Sequence, residues 1–193
     1  MSSFVGLLRR AKNIVRWNLM SQFQPENVAV HSYEVSIISH LLGVIGKTVF
    51  EKDINPERMA CLGLYHESSE NLLGDFLGPV KHANQNIRNA IKDLEREIEE
   101  SLIKKIPAPL STVMAPYICQ DRDGLEAELT KAADEIAAFV KAKEEVEKGN
   151  VDFQSAYKNK LLVISELSQK YEEVEYYLEH FLQGMTQNFD DQI

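Results

Sequence analysis

Apolar residues recur along this chain at intervals of three and four, and strand-like alternation is almost absent. Phe4, Leu8, Ala11 and Val15 share one face of a predicted first helix that would turn them to the core, with Trp17 where that helix meets the rest of the fold. Val35, Ile38, Leu42 and Ile45 mark a second helix, Met59, Leu62 and His66 a third, and Ile87, Ile91, Leu94 and Ile98 a long fourth. Further helices are predicted in "LEAELTKAADEIAAFVKAKEEVEK", along Phe153, Tyr157, Leu161 and Ile164, and along Val174, Leu178, Phe181 and Met185. "GDFLGP", "PAP" at 107–109, "QDRDG" and "KGN" at 148–150 supply Gly, Pro or Asp where helices must stop. The expected class is all-α, a single-domain helical bundle over residues 1–193 with no internal repeat.

Three polar residues break the apolar faces. His31 precedes Val35, Ile38, Leu42 and Ile45 by 4, 7, 11 and 14 residues, so it lies on the same buried face. His66 stands in the same relation to Leu62 and Met59, with Glu67 about 100° around the helix and Glu70 one turn onward. Asp134 lies beside Ala127, Thr130, Ala137 and Ala138, small residues that permit close approach. Burying such groups one by one is costly. Gathered around a divalent ion, two imidazoles and two carboxylates satisfy one another, with donors suited to manganese, cobalt, iron or zinc. Plainer readings exist for each residue: a core histidine for His31 or His66, a loop cap or a Lys131 partner for Asp134, and an exposed helix end for Glu70. His40, His82 and His180 have no comparable carboxylates around them and read as structural or surface groups.

Composition narrows the setting. With 193 residues, 44% hydrophobic and 26% charged, the chain can bury a sizeable core, and no run approaches the ~18 consecutive apolar residues that cross a bilayer. Cys61 and Cys119 are too few for a disulfide framework, which fits a reducing, cytoplasmic compartment. The net charge of −9 repels extended nucleic acid while leaving room for a small anion held by local cations. Arg9, Arg10, Lys12 and Arg16 in an acid-free start would suit a transit peptide, but the helical spacing there favours a first helix. Acidic runs such as "EREIEE" and "KAKEEVEKG" read as solvated helix faces.

The order His, then His followed at once by a carboxylate, then a distant Asp, resembles the HD-domain metal-dependent phosphohydrolases, and among them the YfbR-like deoxyribonucleoside 5′-monophosphatases. "IVRWNLM" at 14–20, "ENVAVHS" at 26–32, "ACLGLYHESSE" at 60–70, "GD" at 74–75, "PVKH" at 79–82 and "KAADEIAAF" at 131–139 come in that family's order. The resemblance implies that His31, His66, Glu67 and Asp134 are metal ligands for a divalent transition ion. It further implies that Arg16 holds phosphate oxygens, that Trp17 packs on sugar or base, and that Glu70 is the catalytic glutamate. Asp75 corresponds to an acid near the sugar, implicated in catalysis and in preference for deoxyribose; Lys81 matches a nearby basic residue of open role. The implied substrate is a deoxyribonucleoside 5′-monophosphate. Ser68 and Ser69 need no part in this chemistry and are expected to bond to backbone at a helix end.

The chain also departs from the family. The usual His-Asp dyad is His66-Glu67 here, a side chain longer by roughly 1.5 Å. Val30 stands where an acid commonly precedes the first histidine, and Leu77 and Gly78 replace Pro and Thr. Three readings follow: an active metal-dependent 5′-nucleotidase, a weakly active or non-catalytic nucleotide- or metal-binding protein, and a purely structural helical module. Apolar residues of the last third, including Tyr176, Tyr177, Phe181 and Met185, together with the family's habit, lead to the expectation of a homodimer.

Overall fold

The computed structural model describes residues 1–81, 83–120 and 123–193; His82 and the Asp121 and Arg122 of the predicted "QDRDG" break lie outside the described residues. Its helices are α1 (Phe4–Leu8), α2 (Val28–Thr48), α3 (Pro56–Tyr65), α4 (Glu70–Leu73), α5 (Gly78–Lys81), α6 (Gln85–Ile103), α7 (Ala108–Ile118), α8 (Leu125–Glu147), α9 (Gln154–Lys170), α10 (Glu172–Met185) and α11 (Phe189–Gln192). The architecture is all-α, and among the described residues no strand forms beyond one isolated bridge between Val15 and Asn27.

Asparagine side chains start several of these elements. Asn27, Asn55 and Asn84 accept from the backbone N–H groups of Val30, Arg58 and Ile87, satisfying donors that a helix start leaves open. The α2 face predicted from spacing is the buried one: Val35, Ile38, Leu42 and Ile45 pack with Met59, Leu129, Ile136, Phe139, Ile164 and Val174. Each such side chain contributes roughly 1.5–3 kcal/mol through removal from water. A smaller core joins Phe4 of α1 to Leu102 and Ile118. By length and composition α2 could cross a membrane, yet half of its most apolar window is already buried inside the protein.

Several expectations need correction. The first helix stops at Leu8, giving way to a 3-10 turn at Arg9–Asn13, and Val15 is exposed because the backbone there turns to pair with Asn27. Leu94 and Leu161 also face solvent, while Glu95 takes a buried place on α6. The stretch opened by "PAP" forms α7, since Pro109 sits in its first turn where no N–H is needed and Pro116 is accommodated within it. The acidic runs are not wholly solvated: Glu95, Lys141 and Glu145 are buried and paired.

Candidate metal and nucleotide site

Three helices bring the predicted donors together. His31 lies in the first turn of α2 and is completely buried, Asp134 lies midway along α8, and His66 caps the end of α3. His31 Nε2 is 2.9 Å from Asp134 Oδ1, His66 Nε2 is 3.9 Å from the same oxygen, and Glu67 Oε1 is 3.5 Å from His66 Nε2. One donor atom from each of His31, His66, Glu67 and Asp134 lies within 4.8 Å of every other. Lys131 is not the partner of Asp134, which turns to the histidines instead.

"HESSE" does not continue the α3 helix. The chain tightens into a turn at 66–69, in which Ser68 N–H bonds to Tyr65 O and Glu70 N–H to Glu67 O, before α4 begins at Glu70. Ser68 Oγ donates to Tyr65 O at 2.6 Å, a helix-end role for that hydroxyl. The tighter winding swings Glu67 toward His66 and places Glu70, itself buried, behind it.

The donor set fits a divalent ion. His66 Nδ1 donates to Gly63 O at 2.7 Å, so its Nε2 keeps a lone pair; that atom is buried and has no hydrogen-bond partner among the described residues. Burial, with Arg16 and His66 nearby, holds His31 below the usual histidine range and therefore neutral, despite its bond to Asp134. Burial pushes the Asp134 carboxyl up, but the His31 hydrogen bond, with the Arg16 guanidinium nearby, prevails and holds it below the usual carboxylate range. Two imidazoles and two carboxylates at this spacing are what a transition ion accepts.

The residues expected to meet a nucleotide lie around these donors. Burial works against the Arg16 guanidinium, but the nearby Asp134, Glu26 and Glu67 carboxylates outweigh it and raise its pKa. Trp17 adopts a left-handed backbone, φ 56°, and its ring lies 5.4 Å from that of Phe153. Burial and the charge of Glu67 raise the Asp75 carboxyl, against the opposing effects of Arg16, Lys81 and the Trp17 backbone N–H. Glu70 is pushed up to about 10 by burial and by the Glu67 and Asp75 carboxylates, with a hydrogen bond to Glu67, so it carries a proton at neutral pH. Lys81 reaches Glu95 at 2.9 Å.

A family model described as 5′-deoxynucleotidase YfbR-like matches residues 3–185. The chain belongs to the YfbR-like 5′-deoxynucleotidase family. Among its relatives, a 5′-deoxynucleotidase of Vibrio parahaemolyticus is 36% identical over 191 residues, covering 98% of this chain and 97% of that protein. The 5′-deoxynucleotidase YfbR of Escherichia coli O1:K1 is 35% identical over 191 residues, covering 98% and 95%. A solved HD-domain phosphohydrolase from Listeria innocua superposes with a TM-score of 0.82 at 26% identity, covering 95% of this chain and 88% of its own.

Within this YfbR-like chain the Glu67 substitution is accommodated, since its carboxylate reaches the other three donors. Val30 is exposed, and the carboxylate that faces His31 Nδ1 comes from Glu26, at 3.9 Å. Glu26 and Glu95 are site-flanking residues that sequence reasoning missed. Glu26 sits before a helix cap, where an acid is ordinarily read as a dipole complement, and Glu95 hides in an acidic run. The apolar spacing gave no signal for Glu95, because Leu94 fills the position between Ile91 and Ile98 in sequence although Glu95 is the buried one.

Proposed function

We propose that this YfbR-like chain is a metal-dependent 5′-nucleotidase that hydrolyses deoxyribonucleoside 5′-monophosphates to deoxyribonucleoside and phosphate. The observation that carries the reading is the convergence of His31, His66, Glu67 and Asp134 within 4.8 Å, beside Arg16 and a buried Glu70. These four residues would hold the ion, which is cobalt, manganese, iron or zinc by donor chemistry. When bound, it supplies charge neutralisation at the phosphoryl oxygens and acidifies water.

The chain's own side chains account for the rest. Arg16 offers its guanidinium to phosphate oxygens, and the Trp17 indole packs on the sugar or base. Glu70, held protonated by its surroundings, donates to the departing 5′-oxygen. Asp75, hydrogen-bonded by the Trp17 backbone N–H, would face the sugar and favour a 2′-deoxy substrate. Lys81, braced by Glu95, adds positive charge near Glu67 and Glu70. Leu77 and Gly78 leave this wall without the hydroxyl of a threonine.

The two free cysteines support a reducing, cytoplasmic setting, and the net charge of −9 argues against extended nucleic acid as a partner. A homodimer is supported by the apolar groove that Ile37, Leu41, Phe181 and Met185 line between α2 and α10, flanked by exposed Tyr33. Tyr177, though buried, also lines this groove, whereas Tyr176, expected at such a surface, is instead engaged by Phe50 and His180. The deciding experiment is phosphate release from a panel of ribo- and deoxyribonucleoside monophosphates, after chelation and re-addition of each metal. Release from the deoxy series under metal control is expected; none with any ion would reject the reading.

A further inference from the structure

Glu26 belongs to neither the expected ligands nor the expected substrate residues, yet its carboxylate touches both groups. Its side chain is 5% exposed. Oε2 accepts from the Trp17 indole Nε1 at 3.0 Å and lies 3.2 Å from Arg16 Nε. Oε1 lies 3.9 Å from His31 Nδ1, which is buried and has no hydrogen-bond partner among the described residues. The backbone fixes this arrangement: Arg16 N–H donates to Glu26 O at 3.0 Å and Val28 N–H to Ile14 O at 3.0 Å, while Gln22 bonds to both Glu26 N–H and Arg16 O.

We infer that Glu26 is a positioning residue that couples metal loading to the orientation of Arg16 and Trp17. The inference rests on the proposed metal site. An imidazole that gives its Nε2 lone pair to an ion must carry its proton on Nδ1, and a buried N–H needs an acceptor. Among the described residues the carboxylate within 4 Å of that atom is Glu26 Oε1, and 3.9 Å is about 1 Å beyond a good hydrogen bond. Closing the gap moves one oxygen of a carboxylate whose other oxygen holds the indole and the guanidinium. Metal at one face of His31 is thereby felt at the residues that receive the nucleotide, with no nucleotide present. A carboxylate behind a ligating histidine also raises the basicity of the ring and fixes its orientation, an effect worth roughly 10–100-fold in metal affinity in other sites.

The chain has one tryptophan, so its indole N–H cross-peak and its emission report on Trp17 alone. Chelated protein is titrated with zinc, which neither absorbs nor quenches in this range, and the cross-peak, the emission and the zinc affinity are followed without nucleotide. In the natural protein the indole cross-peak should move with zinc occupancy. In Glu26→Gln, which can offer an acceptor oxygen to one side only, the shift should fall by more than half and zinc affinity by at least tenfold, with Glu26→Asp recovering part of both. Thermal melts of each variant control for folding. If Glu26→Gln does not fold, the natural protein still decides the matter through its cross-peak. Normal zinc binding with an unmoved indole, or Glu26→Gln with natural affinity and response, overturns the coupling while leaving the metal site intact. No zinc binding by the natural protein overturns the metal reading and the coupling together.

Discussion

His66 and Gly63 are joined by a 2.7 Å hydrogen bond from the imidazole Nδ1 to the carbonyl oxygen, three residues back on the same helix. Gly63 is also where α3 presses on α2: a Cβ there would lie 2.8 Å from Ser36 Cα and 2.9 Å from Val35 O. Both atoms are backbone and cannot step aside. Gly63→Ala should therefore part α2 from α3, costing about 1–3 kcal/mol in urea denaturation, and weaken zinc binding because His31 and His66 ride on the two helices.

Glu67 tests whether the longer dyad is a working one. Glu67→Gln should lower metal content and turnover together, because an amide is a poorer donor. Glu67→Asp should also lose activity, on the order of 10²-fold, since a shorter side chain draws its carboxylate roughly 1.5 Å back from the other donors. A rise in phosphate release with Glu67→Asp would instead mark the natural chain as detuned. Elemental analysis and steady-state kinetics on the two variants distinguish these outcomes.

Glu70→Gln keeps the shape and loses the transferable proton. A fall of about 10²–10⁴-fold in kcat is expected with metal content unchanged. Loss of metal along with activity would make Glu70 a ligand instead of an acid.

Glu145 anchors a buried network, accepting from Lys141 Nζ, Asn150 Nδ2 and the backbone N–H groups of Phe23 and Gln24. Burial raises its carboxyl, but these donors bring it down to about 2. A depressed acid adds stability above its unfolded value of about 4.5 and loses it as pH falls toward 2. Urea midpoints should drop across that window for the natural protein and much less for Glu145→Gln. At neutral pH the variant should be destabilised by about 3–5 kcal/mol, because it strands the Lys141 charge.

Ile37→Glu places a charge in the apolar groove between α2 and α10. The natural protein should scatter light as a dimer at micromolar concentration and this variant as a monomer of unchanged helicity.

Where the pattern of apolar positions alone decides structure, the sequence was legible. The α2 stripe from His31 to Ile45 and the small residues beside Asp134 announced two of the three walls of the site. Residues that act through distant partners were not. Glu145 is buried because backbone some 120 residues away needs an acceptor, and Glu26 because Trp17 turns left-handed, so neither has a periodic signature. α7 was obscured by Pro109 and Pro116, which composition reads as breaks although the first-turn position tolerates proline. The ligand set became readable through family motifs more than through spacing, because His66 and Glu67 lie on a tightened turn and not on the helix their spacing suggested.

The stretch between Trp17 and Glu26 is stitched to the end of α8 by the Glu145 bonds to Phe23 and Gln24, by Lys141 on Gln24 O, and by Asn150 on Ser21 O. Asp134 lies on that same helix, eleven residues or about 16 Å earlier. The wall that meets the nucleotide is thus a fixed bracket on one rod, ordered when the chain folds and not when substrate arrives. On the proposed function this edge would need no closure of its own before turnover, unlike the loops whose slow closing limits many phosphate-handling enzymes.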